Sequence, residues 1–137
     1  MTTSGIHIHK LRKTWPDGTV GLDDLSLDIA GGEFVAILGR SGAGKSTLLR
    51  CAARLIESTS GTVVVGGTDI TAAQGRALYQ ARGRVGFVFQ QFNLVRSYTA
   101  LDNVLVARVG HAPWWRGFLG LWSPADRELA ARCLREV

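Results

Sequence analysis

Apolar and polar residues alternate twice near the start of the chain. Ile6 and Ile8 alternate with His7 and His9, and Leu25, Leu27 and Ile29 alternate with Ser26 and Asp28. A period of two predicts half-buried strands. Pro16-Asp17-Gly18 lies between them. It predicts a turn, because proline presets φ and glycine accepts positive φ. The first thirty residues therefore predict antiparallel β structure, closed by Gly31-Gly32. Phe34-Val35-Ala36-Ile37-Leu38 is a continuous apolar run of strand length. Such a run predicts a strand buried on both faces, as in a parallel sheet. A helical period follows from about Lys45 to Ile56. It places Leu48, Leu49, Ala52 and Leu55 on one face and turns Arg50 and Arg54 outward.

Further along, Val63-Val64-Val65 reads as a strand closed by Gly66-Gly67, and a short helix is expected over 73–82. Val85-Gly86-Phe87-Val88-Phe89 is another β-rich run, ending at Gln90-Gln91. Helical character returns at Thr99, where Asp102 three residues on completes a capping-box pattern. Ser123-Pro124 with Asp126 marks another helix start, proline being tolerated at the first helical position. Leu129, Cys133 and Val137 continue that helix at a spacing of four. No C-cap signal follows, which predicts that the pattern is interrupted there. Strands and helices in this order indicate an α/β chain.

Composition narrows the possibilities. The 137 residues are 46% hydrophobic and 20% charged, which suits one globular domain or part of one. Seventeen glycines without a Gly-X-Y period exclude collagen and point to tight turns and close backbone approaches. The net charge of +5 implies an anionic partner: nucleic acid, an acidic membrane surface or nucleotide phosphates. Cys51 and Cys133 are too far apart in sequence to suggest a zinc ribbon or disulfide framework. The N-terminal MTTSGIHIHK has no apolar core of a signal peptide, and no run approaches the ~20 apolar residues that cross a bilayer.

Residues 39–46 read GRSGAGKS, which fits G-x-x-x-x-G-K-[ST] at Gly39, Gly44, Lys45 and Ser46. An apolar run precedes it and a helical pattern follows. A triphosphate is wrapped by backbone N–H groups at close range, where side chains would interfere. That accounts for Gly39, Gly42 and Gly44, with Arg40, Ser41 and Ala43 between them. The helix start adds N–H donors and the positive end of its dipole. Lys45 can reach the β- and γ-phosphates, Ser46 can offer its hydroxyl to Mg²⁺, and Thr47 can donate to the α-phosphate. A triphosphate with Mg²⁺ is the expected ligand pair.

GRSGAGKSTLLR, the later TSGTV and VGFVFQQFNLV occur in that order. Together they resemble the ATP-binding subunits of ABC transporters. TLLRCAARLIESTSGTVVVGGTDIT, GTVGLDDLSLDI and FLGLWSPADRELA are most similar to the subunits of phosphonate importers. The resemblance covers essentially the whole chain. It implies a P-loop NTPase fold of the ABC type with an N-terminal antiparallel β subdomain, incomplete at its C-terminal side. Residues 1–92 would form the ATP-binding core and 93–137 the start of a helical subdomain. Gln90 matches the glutamine that in the family approaches Mg²⁺ and the attacking water. Trp15 matches the aromatic that stacks on adenine. Lys45 and Gln90 are thus the implied catalytic residues.

The resemblance further implies transport-coupled ATP hydrolysis in an importer of phosphonate or a related oxyanion. Implied partners are transmembrane permease subunits, a second ATP-binding subunit in a homodimer and, indirectly, an extracytoplasmic substrate-binding protein. The implied place is the cytoplasmic face of the cell membrane. Nucleic acid is not an implied partner. The family also requires an LSGGQ-type signature, an apolar run ending in Asp-Glu and a switch histidine. None of these stands in the 137 residues, and His111 lies before the position a switch histidine would take. The chain alone is expected to hydrolyse ATP poorly or not at all. Two alternatives stay open: a non-catalytic nucleotide-binding remnant, and a basic nucleic-acid-binding module.

Other features carry less. His7 and His9 share a strand face, which is expected to be merely polar in the absence of a third ligand. Arg76, Arg82, Arg84 and Arg96 fall in a stretch without acids, Ile70 to Leu101, expected to be a solvated or transporter-facing surface. Trp114, Trp115, Phe118, Leu119, Leu121 and Trp122 are expected to form a packing face of the helical part.

Overall fold

The alternation near the N-terminus becomes a hairpin. Strand β1 (Ile6–Thr14) pairs antiparallel with β2 (Val20–Ile29), with Ile6 opposite Ile29, Ile8 opposite Leu27 and Thr14 opposite Val20. The structure, a computed structural model, describes residues 5–91, 93–111 and 119–136. Register shifts lie between Ile8 and Leu11, where Lys10 takes a φ of 46°, and between Leu11 and Lys13, where Asp24 on β2 takes a φ of 49°. Such bulges bend a ribbon and increase its twist. β3 (Ser60–Val65) lies on the other edge of β1, with Ile8 opposite Val63. β4 (Thr68–Asp69) turns back on β3, so the sheet runs β2-β1-β3-β4. Its inward residues Ile8, Leu11, Leu22 and Val63 form a core with Leu48, Cys51, Ile70 and Ala81.

Helix α1 (Lys45–Ala52) is shorter than its sequence pattern predicts and faces the core differently. The buried pair is Leu48 and Cys51, whereas Leu49 and Leu55 are exposed. Arg54, expected to point outward, is turned in. It adopts φ 54°, and its side chain is only 12% exposed. Its Nε donates to the Ile70 carbonyl at 3.2 Å, and its guanidinium lies 3.0 Å from Glu57. The helix stops at Ala52, so residues 54 and 55 leave the helical register that had placed them. Arg54 also accepts at its own carbonyl from Arg82, in α2 (Gly75–Arg82). Arg84 donates to the Thr68 hydroxyl at 3.2 Å. Two of the four arginines of the acid-free stretch are therefore bound within the fold.

The two other apolar runs depart from expectation. Neither Phe34–Leu38 nor Val85–Phe89 is a strand of the sheet. Phe34 and Leu38 are 94% and 90% exposed, and Val88 is 90% exposed. An apolar run becomes a strand when a neighbour supplies a hydrogen-bond ladder. None of the four strands pairs with either run.

The chain divides into two compact units, Met1–Phe87 and Val88–Val137. In the second, Thr99 caps α3 (Ala100–Val106) through a full capping box with Asp102. A single 3-10 turn follows at Val109–His111. Ser123 caps α4 (Pro124–Arg135), with proline in its first turn as the sequence predicts. Arg108 reaches Asp126 at 2.8 Å and so ties the end of α3 to the start of α4. Leu105 and Ala130 are buried. Leu119 and Leu121 are exposed, while Trp114, Trp115, Phe118 and Val137 lie outside the described residues. Among the described residues no helix is long and apolar enough to cross a membrane.

Candidate functional site

The loop that fits the phosphate-binding pattern ends at the N-terminus of α1, and Gly44 is the N-cap. Gly44 has φ 82°, a conformation that costs little only for glycine. A Cβ there would also overlap the carbonyl oxygen of Gly21 in β2. Gly39 is less constrained by the fold, since a Cβ would meet only Ala43 Cβ at 3.5 Å and Lys45 Cδ at 3.8 Å. Lys45 folds back over the loop, its Nζ donating to the carbonyls of Gly39 and Arg40, each at 2.7 Å.

The start of α1 has no side-chain cap and no acid in its first turn. By contrast, α3 and α4 carry both. The first N–H groups of a helix have no intrahelical acceptor and sit at the positive end of the dipole. In α1 they are left facing the loop.

Ser41, Gly42, Ala43, Gly44, Lys45, Ser46 and Thr47 line a concavity of about 300 Å³ together with Trp15, Thr19, Val20 and Gly21. No acid stands among these residues. Trp15 is placed by the hairpin turn: its N–H donates to the Thr19 carbonyl and its carbonyl accepts from Gly18, both at 2.9 Å. Asp17 in that turn accepts from the Thr19 N–H at 2.9 Å, and the Thr19 donors hold its carboxyl below the usual range. The Nζ of Lys13 stands 4.7 Å from the centroid of the Trp15 ring.

Thr19, Val20, Gly21 and Lys13 escaped the reading of the sequence. The signal was present in the hairpin, because pairing Thr14 with Val20 carries the residues after the turn back beside Trp15. Gly21 is tightly enclosed. A Cβ there would lie 3.0 Å from Trp15 Nε1 and 3.3 Å from Thr47 Cγ2.

Gln90 belongs to the second unit, where it is exposed and lines a concavity with Gln91, Asn93, Leu94 and Arg96. His7 Nδ1 lies 2.7 Å from Asp28 Oδ1 across the hairpin. Among the described residues no three His, Cys, Asp or Glu side chains gather where they could hold a metal ion. A divalent ion at the loop would therefore take the Ser46 hydroxyl together with oxygens from a ligand and water. That is the usual coordination of Mg²⁺ with phosphates.

Comparison with known proteins gives a consistent picture. The family model described as ABC transporter matches residues 22–136. The chain is 47% identical over 132 residues to the phosphonates import ATP-binding protein PhnC of Bacillus cereus (strain ZK / E33L), covering 96% of this chain and 51% of that protein. It is 46% identical over 134 residues to PhnC of Staphylococcus aureus (strain USA300), covering 98% and 52%. The chain thus spans about half the length of the curated relatives it matches. Among solved structures, it is similar to the dimeric structure of MJ0796, a bacterial ABC transporter cassette. The TM-score is 0.80 at 34% identity, over 95% of this chain and 56% of that one. A post-hydrolysis state of the same cassette, bound to ADP and Pi, gives a TM-score of 0.79 at 33% identity, with the same coverage.

Proposed function

The chain belongs to the ABC transporter family, and on that premise we propose that it is the nucleotide-binding part of an importer's ATP-binding subunit. The carrying observation is that Trp15 and the whole of Ser41 to Thr47 line one hollow at the uncapped start of α1. A nucleotide has the matching shape: a flat base at one end and a polyanion at the other. In this reading the loop from Gly39 to Thr47 holds the phosphates. Lys45 leaves the Gly39 and Arg40 carbonyls for the β- and γ-phosphates, Ser46 ligates Mg²⁺, and Trp15 stacks on adenine.

Gln90 then orients toward the γ-phosphate, Mg²⁺ and the attacking water, a task suited to a carboxamide that both donates and accepts. Phosphoryl transfer depends on charge positioned around the attacking and leaving oxygens. The 137 residues contain no signature motif and no apolar strand ending in Asp-Glu. We therefore expect this chain by itself to bind ATP and to hydrolyse it poorly or not at all. The similarity to PhnC proteins supports phosphonate or a related oxyanion as the cargo. It also supports permease subunits, a second copy of the ATP-binding subunit and, indirectly, a substrate-binding protein as partners. Work would then be done at the cytoplasmic face of the membrane.

Calorimetric titration of the chain with Mg·ATP tests the reading, with Lys45→Ala as the control. Saturable binding that the substitution weakens supports it. Binding to nucleic acid that falls steeply with salt and ignores ATP would favour the basic-module alternative instead.

A further inference from the structure

Lys13 has no place in the phosphate-binding pattern, yet its cation stands over the Trp15 ring. It lies in β1 opposite Leu22, and its ammonium stands 4.7 Å from the indole centroid. Trp15 lines the hollow with the phosphate loop, whereas Lys13 is not among the lining residues. The cation thus stands over the ring without itself lining the hollow. The ring's edge lies close against Gly21, where an added Cβ would come within 3.0 Å of Nε1. The backbone of Trp15 is pinned by its two hydrogen bonds across the turn. A cation over one face of an indole is held by the ring quadrupole, most strongly for tryptophan. It also denies that face to any other flat group.

We propose that Lys13 is a positioning residue for nucleobase recognition, holding the Trp15 indole in the orientation in which it receives the base. The inference rests on the nucleotide-binding reading above and deepens it. Lys13 touches neither base nor phosphate and acts through Trp15. Its contribution belongs to ligands that carry a base and is absent for a bare polyphosphate.

The test compares Mg·ATP with Mg·tripolyphosphate by calorimetry on the full chain. The quantity read is the ratio of the two affinities, which cancels the general loss of one positive charge. Lys13→Met is expected to lower the ratio about two- to fivefold. Lys13→Arg keeps a cation over the ring and is expected to restore it. In a Trp15→Ala background, Lys13→Met should leave the ratio unchanged. Lys13→Gln serves the same comparison if the methionine variant fails to fold. Equal weakening of both ligands overturns the proposal, since Lys13 would then act by charge alone. So does an undiminished effect in the Trp15→Ala background, which would mean direct contact with the base. Absence of any binding by the unsubstituted chain overturns the underlying reading, and with it this one. Binding of tripolyphosphate with no preference for ATP leaves phosphate recognition standing and overturns the role of Lys13.

Discussion

The carbonyl oxygen of Gly21 lies where a Cβ on Gly44 would have to go. The hairpin strand and the helix start are thus in contact through backbone atoms, with no side chain between them. Gly44→Ala meets this collision and a φ of 82° at once. Gly42→Ala meets the same φ of 82° but open space. The left-handed conformation alone costs a non-glycine residue about 1–2 kcal/mol. Urea denaturation should show about that loss for Gly42→Ala and a larger one for Gly44→Ala. Equal losses would mean that the strand yields to the new methyl group.

Lys45 is held by two loop carbonyls at 2.7 Å and, in the proposed function, exchanges them for phosphate oxygens. Hydrogen bonds to charged groups contribute about 1.5–3 kcal/mol. Lys45→Ala should therefore weaken Mg·ATP binding by about ten- to a hundredfold. Unchanged affinity in an equilibrium titration would remove the lysine from the site.

Asp126 accepts from the Ser123 hydroxyl at 2.6 Å and from Arg108 Nε at 2.8 Å. These donors hold its carboxyl below the ordinary value of 3.8. A carboxyl with a lowered folded-state pKa stabilises the fold above the unfolded value and loses that contribution as pH falls through the folded one. The stability gap between the unsubstituted chain and Asp126→Asn should be full near neutrality and close as pH drops below about 4. A gap that stays constant from pH 7 to pH 2 would contradict this.

Leu11 is fully buried in the sheet core, whereas Leu38 is 90% exposed. In this chain Leu11→Ala should cost about 2–5 kcal/mol. Leu38→Ala should stay within about 0.5 kcal/mol of no change. Comparable losses would show that the run from Phe34 to Leu38 is packed as a strand after all.

That last contrast marks where the sequence was legible. The β1–β2 hairpin, the strand at 60–65 and the caps at Thr99 and Ser123 were all visible, because each is written in residues close together in the chain. The glycine-rich turn into α1 was visible because its glycines and Lys45 stand at fixed spacing, and Gly44 does take the positive φ that favours glycine. Phe34–Leu38 and Val85–Phe89 have the composition of buried strands, but a strand exists only with a ladder beside it. Composition does not name the partner. Arg54 was misplaced for a similar reason. The acceptors that turn it inward, the carbonyls of Ile70 and Thr71, lie in the turn after β4, far from it in the sequence. Gly21 and Lys13 matter through tertiary proximity to Trp15, and neither belongs to a motif.

Strand β1 is paired on one side with β2 and on the other with β3. The chain between those partners, residues 30–59, carries the phosphate loop and α1. Its two roots are therefore fastened to opposite edges of one strand, the first opposite Ile6 and the second opposite Arg12. Thr59 fastens the second root again, through its N–H to the Arg12 carbonyl and its hydroxyl to the Thr14 N–H. In mechanical terms the segment is a closed ring. A rearrangement of the loop has to be absorbed within that ring or passed to what it touches, and cannot be relieved by sliding of the chain at either root.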